Sequence, residues 1–209
     1  MERRAVLLAI GGCIGAFAAP AIATDAPAAE VTAPIRAFYD ALLDVMKRAT
    51  ALGIRGRYDA LAPVVGAAFD LPAMTRIAVG PRWTSIPKEQ QSALVDAFSR
   101  MTIATYASRF DGYSGERFEI NPGVESRGSG SIVHTRIVQS KGEPVTLNYL
   151  MRKSGDKWKA VDVYLTGTIS ELATRRSEFN GILDAGGPQA LIGSLRQQTD
   201  RMLRSAPAS

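Results

Sequence analysis

The sequence predicts an α+β fold in which an antiparallel sheet is covered by helices from both ends of the chain. Three observations carry this. Residues 33–110 follow helical periodicity, residues 116–167 switch to a period of two, and residues 171–204 return to helical periodicity. Helices and strands segregated in this way argue for α+β rather than alternating α/β. The short breaks between the strand-patterned runs argue for a meander. The chain has 209 residues, 46% hydrophobic and 22% charged, with a mean hydropathy of −0.01. That composition folds, and the length suits one domain.

The first residues read as an export signal. Arg3 and Arg4 precede an apolar, small-residue run over 5–19, and Ala21-Ile22-Ala23 offers an A-x-A cleavage site. The run is short and Gly/Ala-rich for a membrane span. Cleavage after Ala23 leaves 23 basic and 19 acidic side chains, a charge of +4, and no cysteine. Two other routes are open at this level. Ile10-Gly11-Gly12-Cys13 loosely resembles a lipobox and would leave an anchored structural protein, and Arg3-Arg4 could serve the twin-arginine route. The segment 24–32 (TDAPAAEVT) reads as a flexible Pro/Ala tether, 33–204 as a single domain, and 205–209 as a frayed tail. The mild basic balance suits either solubility or attraction to anionic head groups.

The first helix is expected over about 33–51. Ile35, Phe38, Tyr39, Leu42, Leu43, Val45 and Met46 share one sector, and Arg36, Asp40, Asp44, Lys47 and Arg48 fall outside it. A second, more apolar helix is expected over 56–69, around Tyr58, Leu61, Val64 and Val65. A third starts after Asp70 as N-cap, tolerates Pro72 in its first turn, and ends near Gly80-Pro81. A long helix follows over about 85–110. Its apolar sector is wider than the roughly 100° that one core requires, so it packs on two sides or faces a cavity with one of them. Four strands are expected at about 117–126, 131–140, 145–153 and 157–165. Val133, Thr135 and Ile137 share a face, as do Val145, Leu147, Tyr149 and Met151; their neighbours mix charge, the pattern of a sheet with one covered face. The run Trp158–Leu165 is apolar on both faces and reads as a central strand. Two closing helices are expected over 171–184 and 187–204, the second amphipathic with Arg196, Arg201 and Arg204 on its polar side. Those arginines are candidates for a partner-binding surface, and a helix of this kind either docks on its own domain or lies on a membrane.

Catalytic chemistry finds few residues. A single cysteine and a single histidine exclude zinc sites, iron–sulfur clusters and disulfide frameworks. Neither G-x-S-x-G, H-E-x-x-H nor a phosphate-binding glycine loop is present. On a curled sheet of the ketosteroid-isomerase kind, an exported acid–base enzyme or small-molecule binder would have Tyr149, Asp162 and His134 to work with. His134 falls on the mixed face of its strand, and Asp162, on a face with Trp158 and Tyr164, reads more naturally as a structural acceptor. What the sequence offers in excess is apolar surface: Val133, Ile137, Leu147, Tyr149, Met151 and Val163 from the sheet, and Phe38, Leu42, Met46, Tyr58, Met74, Ile77, Tyr106 and Phe110 from the helices. Methionine and aromatic side chains suit an adaptable lining, and equally a plain core.

The order of several motifs resembles the MlaC-type family, also called the toluene-tolerance auxiliary proteins of lipid ABC transporters. The matching stretches are Pro34–Tyr39, Arg57-Tyr58, Phe69-Asp70-Leu71 with Met74 and Arg76, and Gly80 followed by Trp83. Phe98, Tyr106–Arg109, Val145–Tyr149 and Trp158–Val163 come next, and Gly167, Ser170, Arg176, Phe179 and Gly186–Leu195 close the series. The stretch from Gly167 to Phe179 is longer than the family's usual G-V-S and looks like the branch associated with hopanoid-producing bacteria. The resemblance implies a periplasmic lipid shuttle without cofactor or metal, whose cargo is phospholipid, hopanoid or both. Its implied partners are the lipid, an inner-membrane transporter (an ABC system with a lipid-transfer subunit, or an efflux-type hopanoid transporter) and an outer-membrane assembly; no nucleic acid is expected. The fourteen apolar residues named above are its candidate lipid-binding residues. The energetics suit the role: at about 0.8 kcal/mol per methylene, a two-chain lipid with about 30 of them needs roughly 24 kcal/mol of shielding to cross water. On this reading Leu147→Asp or Tyr149→Asp empties the cavity without unfolding the domain.

Overall fold

The computed structural model describes residues 26–204. The expected signal peptide over 1–23, Cys13 and the tail 205–209 lie outside the described residues. The fold is α+β, with the order α1 (Ala26–Lys47), α2 (Ala49–Ala68), α3 (Leu71–Val79), a 3₁₀ turn (Gly80–Ser85), α4 (Lys88–Arg109), β1 (Arg117–Arg127), β2 (Gly130–Val138), β3 (Val145–Ser154), β4 (Lys157–Leu165), β5 (Ile169–Ser170) and α5 (Glu171–Arg204). Sequential antiparallel pairing gives the order β1-β2-β3-β4-β5. The meander has five strands instead of the expected four, the fifth being a two-residue pair closing onto Tyr164 and Leu165.

Two expectations about helices need correction. Residues 26–32, expected as part of a flexible tether, are the first turns of α1. Val31 and Thr32 are buried there, Val31 one turn before Ile35. Pro34, of a type common in the first helical turn, sits inside the helix instead. The alanine-rich segment before it has the propensity to continue the helix backwards, and Val31 supplies the packing. The second correction concerns the expected break between 51 and 56. α1 already stops at Lys47, and α2 begins at Ala49 with a kink at Gly53, whose φ of 59° is left-handed. The predicted cap of α3 is present: the Asp70 carboxylate accepts from the Ala73 amide at 3.0 Å. Gly80 ends that helix at φ 74°, and an added Cβ would lie 3.3 Å from Arg176 Nε. Arg176 in turn donates to the Ile77 carbonyl at 2.8 and 3.1 Å, tying α5 to the end of α3. α5 contains the expected break, at Gly187 with φ 67°.

The sheet's inner face follows the predicted alternation. In register across it stand Phe118, Ile137 and Val145; Ile120, Thr135, Leu147 and Leu165; Val124, Val133, Tyr149 and Val163; and Ser126, Ser131, Met151 and Ala160. A bulge between Leu150 and Met151 on the β3–β4 ladder leaves Val161 as an extra residue. It moves Trp158 and Ala160 to the inner face and leaves Asp162 and Tyr164 on the other, so Trp158 and Asp162 do not share a face as simple alternation implied. β4 is not central either. It pairs with β3 on one side and with the short β5 at one end of the other. Nor is it apolar on both faces: with the bulge counted, Trp158, Ala160, Val163 and Leu165 face inward and Lys157, Lys159, Asp162 and Tyr164 outward, while the free part of its edge is covered, Phe69 bridging to Ala160 and the Asp70 amide donating to the Ala160 carbonyl at 2.9 Å. A covered edge is buried like an interior strand.

The helices pack on the inner face and on one another. α4 lies among α2, α3 and α5, which accounts for its wide apolar sector. A buried arginine braces this layer: Arg57 donates to the carbonyls of Ala107 at 2.8 Å and Ala49 at 3.0 Å, joining α2 to the end of α4.

Candidate functional site

Where α3, α4 and the start of α5 stand over the sheet, they leave a cavity of about 230 Å³. Its wall is apolar for most of its extent. Ile137, Val145, Leu147, Val163 and Leu165 come from the sheet, Met74 from α3, and Phe98, Met101 and Tyr106 from α4, with Phe69, Phe110 and Leu172 at element ends. One end is polar, with Thr102, Thr105, Arg109, Glu171 and Arg175. Cavities that enclose drug-sized ligands measure ~300–1,000 Å³, so a two-chain ligand needs the walls to move apart. The flexible thioethers of Met74 and Met101 suit such a wall.

Of the fourteen residues expected to line a cavity, the structure brings six to its wall: Met74, Tyr106, Phe110, Ile137, Leu147 and Val163. Phe38, Leu42, Met46, Val133, Tyr149 and Met151 are instead packed into the core, and Tyr58 and Ile77 are half-buried against it. The reason is the path of α1, which lies over β1, β2 and β4. Its Tyr39 ring lies on Phe118 and Tyr149 with its hydroxyl at Thr135, and Phe38 packs on Phe69 and Tyr106, while the cavity remains against Ile137, Leu147 and Leu165. Phe98 and Met101 of α4 also line the cavity and were not among the fourteen. Arg109, Glu171 and Arg175 carried no signal in a pattern built on hydrophobicity.

Beneath the cavity lies a continuous aromatic network. Phe38 meets Phe69 and Tyr106 edge-on at 5.2 and 5.0 Å between ring centroids, Tyr39 stacks on Phe118 at 4.6 Å, and Tyr149 meets Tyr39 at 6.0 Å and Phe69 at 6.1 Å. Such pairs contribute about 0.5–1.5 kcal/mol each beyond their burial. Their polar ends find one another. The hydroxyls of Tyr39 and Thr135 are 2.6 Å apart, those of Tyr39 and Tyr149 are 3.0 Å apart, and Thr135 donates to the Leu147 carbonyl at 2.5 Å.

Burial pushes the Tyr39 hydroxyl up to about 12, with its hydrogen bonds opposing the shift. Burial likewise pushes Tyr106 and Tyr149 up, reinforced by repulsion from the Tyr39 phenolate. A phenol whose folded-state pKa is raised keeps its proton where the unfolded chain loses it. The stabilisation is therefore complete below pH ~10 and is lost as pH rises through about 12. Denaturant midpoints are expected to hold level up to pH ~10 and then fall steeply, less so in Tyr39→Phe; a midpoint that stays level to pH ~12 would contradict this.

The residues considered for acid–base catalysis do not converge. Tyr149 is on the inner face, whereas His134 and Asp162 are on the outer. His134 is half-exposed, 3.3 Å from Glu125. Asp162 is the structural acceptor its setting suggested: it accepts from Ser170 Oγ at 2.5 Å and from the amides of Val163 at 2.8 Å and Leu172 at 3.2 Å, anchoring the start of α5. Among the described residues no group of three or more His, Cys, Asp or Glu side chains could hold a metal ion, and no helix is long and apolar enough to cross a membrane.

Residues 36–197 match the family model described as MlaC protein. The chain belongs to the MlaC family. The resemblance carried by the motifs from Pro34 to Leu195 thus holds across nearly the whole described chain. No curated protein matches the sequence significantly. Among solved structures, a phospholipid-binding protein from Ralstonia solanacearum, determined in complex with a phospholipid, superposes with a TM-score of 0.73. It is 21% identical, and the match covers 84% of this chain and 99% of that one. At that identity the likeness shows a shared fold, the MlaC-family arrangement of a curled antiparallel sheet under helices.

Proposed function

We propose that this MlaC-family protein is a periplasmic carrier that binds a phospholipid by its acyl chains and shuttles it between the inner and outer membranes. The observation that carries the reading is the apolar cavity between the sheet and α3–α5, in a fold with which the Ralstonia protein holds a phospholipid. A carrier must keep the chains dry while the head group stays wet, so it needs a deep apolar wall with one polar end and no catalytic constellation. The cavity has that division. The apolar run 5–19 and the Ala21-Ile22-Ala23 site support export. Family membership supports an inner-membrane ABC transporter system as donor or acceptor, with an outer-membrane assembly at the other end. The separation of Tyr149 from His134 and Asp162 across the sheet argues against the isomerase-like enzyme.

The test is native mass spectrometry of protein purified from its own periplasm without detergent, followed by lipid analysis. Phospholipid in near-stoichiometric amount is expected. A hopanoid in its place would change the cargo, and a protein that carries no lipid and takes none from vesicles would overturn the reading.

A further inference from the structure

The polar end of the cavity is basic, and it continues into a second hollow. This one, of about 280 Å³, lies between α4 and the last turns of α5. The two hollows share Met101, Thr105, Arg109 and Arg175, so both arginines stand on the lip between them. The outer hollow adds Ser108, Gln198 and Arg201, all able to donate hydrogen bonds. Among the described residues, Glu171 is the one acid lining either hollow, against three arginines. Arg175 is held in place: its side chain is only 18% exposed, with the Glu171 carboxylate at 3.2 Å and Glu178 at 3.5 Å. A guanidinium has five donors in a planar fork, so these contacts leave capacity for another oxyanion. Arg109, at the exposed end of α4, faces the same lip.

We propose that Arg109 and Arg175 form a phosphate seat for the head group of the bound lipid. The acyl chains then run inward past Tyr106 to Leu147 and Val163, and Glu171 is the counter-ion that holds Arg175 in place beside the phosphate. Arginine forks match phosphate oxygens bidentately, and the half-dry lip strengthens that contact relative to open water. The assignment rests on the carrier reading of the same cavity and extends it: the protein selects lipids with an anionic phosphate over neutral lipids of the same chain length. It also orients the lipid, head outward between α4 and α5.

Uptake of dioleoylphosphatidylglycerol and of dioleoylglycerol, which differ in the phosphate-bearing head group, each carried at the same mole fraction in vesicles of a phosphate-free galactolipid, tests it. The wild-type protein is expected to prefer the phospholipid by ~10-fold or more, the scale of a charge-assisted hydrogen bond. Arg109→Gln with Arg175→Gln should lose that preference and keep its uptake of dioleoylglycerol, which reports an intact cavity. Arg109→Gln alone, at an exposed position, should lose part of it, and Arg82→Gln, which removes a surface ion pair to Asp184, should lose none. Equal uptake of both lipids by the wild type, or full preference in the double variant, overturns the seat and leaves the carrier standing. Wild-type protein that takes up neither lipid overturns the carrier and the seat with it. Inorganic phosphate that binds at these arginines without weakening the uptake of dioleoylphosphatidylglycerol would assign them to a soluble anion and overturn the head-group assignment.

Discussion

Leu147→Asp is expected to give a folded protein that carries no lipid. Leu147 is half-buried on the cavity wall, in register with Thr135 and Leu165 and facing α4. In the closed cavity an aspartate there can draw water through the polar end by Thr105 and Arg109, so the fold loses only a leucine's partial burial, about 1–2 kcal/mol. Acyl chains against the same carboxylate would strip it of water. Burying an unpaired polar group costs about 2–7 kcal/mol, and a charge costs more. Lipid content should fall at least ~30-fold by that lower figure, while the circular dichroism spectrum stays that of the wild type. Wild-type lipid content in a folded variant would remove Leu147 from the binding wall.

Tyr149→Asp, two residues further along the same strand face, is expected to unfold the domain. This reverses the expectation from the sequence that both substitutions empty the cavity alike. Tyr149 is 1% exposed, beneath the cavity rather than on it. Its ring packs on Tyr39 and Phe69, and its hydroxyl lies 3.0 Å from that of Tyr39. Loss of a buried aromatic ring costs about 3–5 kcal/mol. The new carboxylate has no route to water and leaves the Tyr39 hydroxyl with one partner fewer, so the sum rivals the ~5–15 kcal/mol of a whole domain. Soluble yield and the thermal transition should both collapse. Tyr149→Phe keeps the ring and should cost only about 1–2 kcal/mol. A folded, lipid-free Tyr149→Asp would mean that the binding cavity reaches the Val133–Tyr149 row when the walls open.

Much of the architecture was legible because short-range physics writes it. The switch of period at residue 116, the Asp70 cap and the helix break at Gly187 each reflect backbone geometry or the solvent exposure of one face. The motifs from Pro34 to Leu195 carried the family. Less legible were features set by an insertion of one residue or by a neighbour far along the chain. The bulge at Val161 reverses the face of Trp158 relative to Asp162, and nothing in alternation announces it. The cover over the free edge of β4 comes from Phe69 and Asp70, some ninety residues earlier.

By itself the sequence determined which residues are apolar together: the inner face of Val133, Ile137, Leu147, Tyr149 and Met151, and the helix sectors that cover it. Only the tertiary structure decided which of them surround space and which fill it. Periodicity reports the side on which a residue lies, because burial on one side repeats with the helix or strand. It holds no record of depth, because depth depends on what lies opposite. Tyr39 of α1 closes on Tyr149, whereas between α4 and Leu147 the cavity stays open. The same is true of charge. Arg109 and Arg175 are sixty-six positions apart in the chain, and they become a pair only where α4 ends beside the start of α5.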